Sequence, residues 1–175
     1  MNRNWHGILI IDEIKQIRDG SIVFQKNNLY NILHTEGEAR LLNALFAGGS
    51  VSNQYIPNYY YVGLDNRTTL SQSNTYSSIT GEPAIATGYS RQQISSLGGF
   101  TIEETSTSAK AKSNLLGFSA TTSSWGPVKN LFLTNVNYGT TSGGILYSST
   151  NLGSSITVAA GDTISLRFTL ALRNC

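Results

Sequence analysis

TISLRFTLAL, residues Thr163 to Leu172, is the stretch whose reading decides the fold. Ile164, Leu166, Phe168, Leu170 and Leu172 alternate strictly with Thr163, Ser165, Arg167, Thr169 and Ala171. A repeat of two puts each set on its own face of an extended chain, so the segment reads as a half-buried β-strand. Gly161-Asp162 turns the chain into it, and Ile156 to Ala159 reads as the strand before that turn.

Upstream, GGILYSS (Gly143 to Ser149) follows a Gly-rich turn, and KNLFLTNV (Lys129 to Val136) is apolar on both faces at its centre. Such a run suits a central or sandwiched strand. In YYYVGLDNRTT (Tyr59 to Thr69), Tyr60, Val62 and Leu64 alternate with Tyr59, Tyr61 and Gly63 before an Asp65-Asn66 turn. One set faces inward and the other outward; which face stays uncovered decides whether the tyrosines are a contact surface.

Residues 6 to 26 read as a hairpin, because Asp19-Gly20 is the strongest short-range hairpin signal and apolar residues flank it. Ile11, Ile14 and Ile17 recur at spacing three, which leaves a helix open for the first arm. Residues 35 to 47 predict a helix. Thr35 and Glu38 have capping-box spacing, Leu41, Leu42, Leu45 and Phe46 share a face, Glu36 and Arg40 can pair, and Gly48-Gly49 stops it. Between residues 65 and 124 the chain is polar and weakly patterned, and reads as loops with short strands near 89–94, 100–104 and 115–120.

Strands with turn signals at short intervals define the class. The expected fold is mainly β, an antiparallel β-sandwich or jelly-roll-like barrel with an N-terminal hairpin and one short α-helix. Residues 1–50 would form a hairpin-plus-helix docking element packed on the body, and residues 51–175 the sandwich. A chain of 175 residues can bury a sizeable core without covalent staples.

Charged residues make up only 13% of the chain, against about 25% in ordinary proteins. Serine, threonine and asparagine fill the gap, giving a hydroxyl- and amide-rich surface with little desolvation cost on burial. Net charge is +2 with the basic residues scattered, so no nucleic-acid footprint is expected. The single cysteine, Cys175, permits no intrachain disulfide. The longest early apolar run, Ile8 to Ile11, is too short for a membrane span, and no signal peptide is visible, so synthesis in the cytoplasm is expected.

Catalytic chemistry is sparse. His6 and His34 stand at no metal-chelating spacing, no Gly-x-Ser-x-Gly elbow occurs, and neither a metal nor a cofactor is expected. Glu82, ahead of Pro83, is the carboxylate of most interest, because Arg91 follows within reach of a loop closure. A buried Glu82–Arg91 pair would pin that loop; a Glu82–Asp65 pair is the rival, hydrolytic reading. Nine tyrosines against one methionine supply aromatic mass with polar tips, the composition of surfaces that meet a partner or a sugar.

The order of several segments carries a resemblance: Trp5-His6, Asn27-Asn28, TEGEARLL, YVGLDNR, TGEPAIATGYSRQ, WGPVKNLFLTN and AAGDTISLRFTLAL. In that order they resemble small virion structural proteins of tailed bacteriophages. Thr35 departs from the asparagine common in that group, and both residues cap helices. The resemblance implies a non-enzymatic building block in the virion: a capsid decoration or cement protein bound in many copies to the major capsid protein, or alternatively a tail, baseplate or fibre component. It marks Glu82, Tyr89, Arg91, Trp125, Gly126 and Pro127 as framework. Trp5, Tyr59 and Tyr61 are the candidate interface residues, and a homo-oligomer, a trimer among the options, is the expected state. A glycan read by Tyr59, Tyr61 or Trp125 is the alternative from another class.

Overall fold

The computed structural model describes residues 5–46, 56–66, 70–104, 108–140 and 143–174, with the side chains of 5–10, 45, 46, 108 and 171–174 outside that description. In chain order the elements are β1 (Trp5–Arg18), β2 (Ser21–Tyr30), β3 (Ile32–Leu33), α1 (Thr35–Phe46), β4 (Tyr59–Asp65), β5 (Gln92–Ser95) and β6 (Phe100–Glu104). They continue as β7 (Ser108–Ser113), β8 (Leu116–Ser119), β9 (Trp125–Thr134), β10 (Leu146–Val158) and β11 (Thr163–Asn174). The fold is mainly β: among the described residues two antiparallel sheets face one another, with one α-helix at the side. One sheet runs β2-β1-β11-β7-β6 with β8 also on β11; the other runs β3-β10-β9-β4-β5.

The alternating stretch becomes β11, flanked on one side by the whole of β1 and on the other by β8 and then β7. Ile164, Leu166 and Phe168 are buried between the sheets. β7 and β8 form one line interrupted at Asn114-Leu115, where Ser113 Oγ accepts the Phe168 N–H at 2.9 Å and donates to the Asn114 carbonyl at 2.8 Å. A side chain thus fills the gap in the backbone ladder.

The first arm of the hairpin is a strand, and its spacing of three has a mechanical cause. Ile11 pairs with Phe168 and Glu13 with Arg167, so Asp12 is an inserted residue, a β-bulge. The bulge shifts the alternation by one, and Ile11 and Ile14 are both completely buried on the same face. Asp19 (φ 49°) and Gly20 (φ 77°) both hold positive φ, the requirement of the tightest hairpin turn.

β1 lies inside its sheet, between β2 and β11, so the hairpin is woven into the sandwich rather than laid upon it. The expected unit 1–50 does not stand apart as a docking element. Gln16, buried in β1, donates from Nε2 to the Thr157 carbonyl (2.9 Å) and to Asp162 Oδ2 (2.6 Å). Arg18 reaches the same carboxylate through Nε and Nη2, both at 2.9 Å, and the Ala159 N–H adds a bond at 2.8 Å. Asp162 is therefore more than a turn residue: it clasps the hairpin to the β10–β11 corner. These bonds, Arg18's first, hold its carboxyl below the usual carboxylate range.

The helix forms where its apolar stripe predicts, but its start is built differently. His34 is the cap residue, its carbonyl accepting the Glu38 N–H at 2.9 Å. Thr35 and Glu38 do not close a capping box; both turn toward Gln72, the hydroxyl donating to its carbonyl (3.5 Å) and the carboxylate accepting from its Nε2 (3.3 Å). Glu36, expected beside Arg40, accepts the Tyr76 and Leu146 N–H groups at 2.6 Å each on Oε1. The helix start is thus anchored by tertiary contacts to the 70s loop and β10. The expected stop at Gly48-Gly49 lies outside the described residues, as do Cys175 and the side chains of Trp5, His6, Leu45 and Phe46.

The inter-sheet core combines Ile11, Ile14, Phe118 and Leu166 with Val62, Leu64, Leu131 and Leu152. Each such side chain contributes about 1.5–3 kcal/mol on burial. GGILYSS and the 156–159 segment prove to be the two ends of one long strand, β10, broken by register shifts against β9.

Candidate functional site

β9 turns Leu131 and Leu133 to the core and Phe132 to the other side of its sheet, which is what its two-faced apolar run signals. Phe132 is also buried (1% exposed), so a second layer covers it. Gly63 in β4 makes the room: any side chain there would collide with the Phe132 ring. The cover is the polar stretch after β4, which folds back across the sheet with one-turn 3₁₀ helices at Tyr76–Ser78 and Ile85–Thr87.

Arg91 is the centre of this layer. Its guanidinium carbon lies 5.1 Å from the Phe132 ring centre, 5.4 Å from Tyr76 and 5.9 Å from Tyr138. Such cation–π contacts gain strength when desolvated. Nε donates to Glu82 Oε1 (2.9 Å) and Nη2 to Oε2 (2.5 Å), a two-pronged pair with both side chains almost wholly buried. Nη2 also donates to the Tyr76 hydroxyl (3.1 Å), and Nη1 to the Val136 (2.6 Å) and Asn137 (3.2 Å) carbonyls. Burial opposes the charge on Arg91, but the bond and charge of Glu82 outweigh it and keep its pKa above the ordinary value.

Tyr89 joins this pair to the core. Its hydroxyl donates to Glu82 Oε1 and accepts the Leu64 N–H, both at 2.8 Å. β5 pairs with β4 only from Tyr59 to Val62, so Tyr89 occupies the β4 edge where β5 has ended. The Asn66 N–H continues that edge to the Gly81 carbonyl (3.0 Å), and the Gly81 N–H returns to Asp65 Oδ1 (3.0 Å). The Tyr89 ring stacks on Phe118 (6.2 Å between centres) and meets Trp125 (5.5 Å) and Tyr138 (5.6 Å) edge-on. Burial, then the Glu82 charge, raises the Tyr89 hydroxyl pKa well above its usual value.

Of the residues singled out in the sequence, Glu82, Tyr89, Arg91 and Trp125 meet in this cluster, and Gly126 and Pro127 border the recess beside Glu82. Trp125 is 3% exposed and donates from Nε1 to the Thr87 carbonyl at 3.0 Å. That overturns its part as a stacking platform for a sugar, because its ring has no free face. Tyr59 and Tyr61 stand apart at the far end of β4, ring centres 6.5 Å from each other, with Tyr59 exposed and Tyr61 half-buried. Trp5's side chain is outside the described residues. Asp65 is completely buried, so it and Glu82 do not face one another across an open cleft as hydrolysis would require. His34 is buried with Nε2 2.9 Å from Ser149 Oγ, and burial lowers its pKa. Among the described residues no group of three or more His, Cys, Asp or Glu is placed to hold a metal ion, and no helix is long and apolar enough to cross a membrane.

Sequence reading missed Tyr76, Phe132 and Tyr138 as partners of Arg91. Only the apolar outer position of Phe132 in an otherwise complete strand hinted at them. Compared with known proteins, the chain matches no protein-family model, no curated protein and no solved structure.

Proposed function

We propose that this chain is a non-enzymatic structural component of a tailed-bacteriophage virion, a decoration or cement protein that binds the major capsid protein in many copies. The observation that carries the reading is the edge strand β2. It is ten residues long and, among the described residues, pairs with no strand on its outer side, and Ile22 (53%), Val23 (49%) and Tyr30 (67%) are exposed along it. An edge strand offers backbone N–H and C=O groups for pairing with another chain, and here exposed apolar residues stand at both ends of the polar run Gln25–Asn28. The charge-poor, hydroxyl-rich surface supports the same reading, because few ionic groups need be desolvated when it is covered. The titratable residues of the Glu82 cluster are bonded to one another and to backbone, as a fixed scaffold requires.

A symmetric shell presents many equivalent sites, so a modest affinity per copy suffices when copies are linked into a homo-oligomer. Deleting the gene and heating the particles tests this directly. Loss of cement lowers the temperature of genome release, and unchanged release removes the decoration reading. Densitometry of purified virions should give a copy number close to that of the capsid protein; a far smaller number assigns the chain to the tail, baseplate or fibre.

A further inference from the structure

Above the Glu82–Arg91 pair the covering layer leaves an open groove of about 400 Å³. Tyr76 and Tyr138 form its aromatic walls, Glu82 and Arg91 lie at its floor, and Thr80 and Thr140 stand at its rim. Its size falls within the range of small-ligand clefts.

The bonding at the floor decides which chemistry the groove accepts. Arg91 has spent its N–H groups on Glu82, the Tyr76 hydroxyl and two carbonyls, so an entering anion finds positive charge already neutralised and no free donor. A cation finds Glu82 neutralised by Arg91 at 2.5 Å. What remains is acceptor capacity. Oε1 accepts from Tyr89 and Arg91, while Oε2 accepts only from Arg91. An ionised carboxylate has about four lone-pair positions, so Oε2 can take a further donor. Glu82's side chain keeps 10% exposure and is one of the residues that line the groove. The fitting donor is a neutral hydroxyl; the rim threonines offer further hydroxyl partners and the tyrosines an apolar wall. A molecule with hydroxyls on its edge and C–H groups on its face satisfies all three at once.

We infer that this groove is a binding subsite for one neutral sugar unit of a glycan, its C–H face against Tyr138 and one hydroxyl donated to Glu82 Oε2. The site is distinct from Tyr59, Tyr61 and Trp125, and it does not depend on the assembly reading above, which is tested on particles.

The test is a glycan array of neutral and acidic oligosaccharides probed with the purified protein, followed by calorimetric titration of any neutral oligosaccharide captured. Saturable binding of a neutral glycan is expected. Tyr138→Ala should weaken it about tenfold, the scale of one aromatic contact. Thr140→Val and Thr80→Val, at exposed rim positions, should weaken it less without moving the melting temperature. If Tyr138→Ala fails to fold, the two threonine variants decide. Absence of binding across the array, preference for acidic glycans, or unchanged affinity in folded groove variants each overturns the assignment.

Discussion

The sheet β3-β10-β9-β4-β5 has two buried faces, and they are held by different physics. Toward the partner sheet, Val62, Leu64, Leu131 and Leu133 pack as apolar side chains that need no partner atom by atom. On the other side, the same strands present Gly63, Asp65, Asn130 and Phe132, covered by a layer whose centre is a charged guanidinium. The inner face is stabilised by removing apolar area from water, and damage to it scales with lost volume. The outer face depends on a charge whose every donor is answered, and damage there is the desolvation of whatever is left unanswered. Two neighbouring residues, Leu131 and Phe132, thus belong to different regimes.

The largest effect should come from breaking the outer face at its centre. Arg91→Ala leaves Glu82 buried without its cation and should cost about 3–5 kcal/mol in chemical denaturation. Combining Glu82→Gln with Arg91→Met removes both charges and should recover a good part of that loss; no recovery would mean that the pair's geometry, not its charge balance, holds the layer. Leu131→Ala tests the inner face and should cost about 2–5 kcal/mol, with no second-site charge change able to repair it.

Asp162→Asn, at the corner where the hairpin is clasped, should cost about 1–3 kcal/mol at neutral pH. The sign of its pH dependence follows from its depressed pKa. The folded state binds that proton less readily than the unfolded chain, so the stabilisation is complete above the unfolded carboxyl value of about 4 and is lost as pH falls below it. Denaturation of both proteins at pH 7 and near pH 2 should therefore show the gap narrowing in acid; a constant gap would mean that the charge on Asp162 contributes nothing. The smallest stability effect belongs to Ile22→Ser, within about 0.5 kcal/mol by thermal melting. On the capsid-decoration proposal the same substitution should reduce incorporation into particles, which would separate a face for a partner from the two faces made for folding.

The inner face was largely legible in the sequence. The strict alternation of Thr163 to Leu172 and the Asp19-Gly20 turn need only local geometry, and both appear where local rules put them. The strand at Ser108–Ser113 has no strand signal of its own, because Ala and Lys carry little strand propensity; it forms because β11 and β6 both pair with it. Of the outer face, Glu82 and Arg91 stand close enough in sequence to be read as a pair. Tyr76, Phe132 and Tyr138 are separated by long stretches, and nothing in a linear pattern indicates that one guanidinium collects all three rings. The capping box at Thr35 and Glu38 misled for the same reason, since Gln72 offered both side chains a tertiary partner that local spacing does not reveal.

The ladder between β1 and β11 joins the first described strand to the last. During translation, β1 and β2 leave the ribosome long before the segment that must lie beside them. Until Thr163–Asn174 has emerged, Ile11 and Ile14 lack the neighbour that buries them, so the sandwich closes only after the more than 140 residues between the two strands have been made. A truncated product ending before β11 should be captured by chaperones or precipitate, rather than persist as a smaller folded protein.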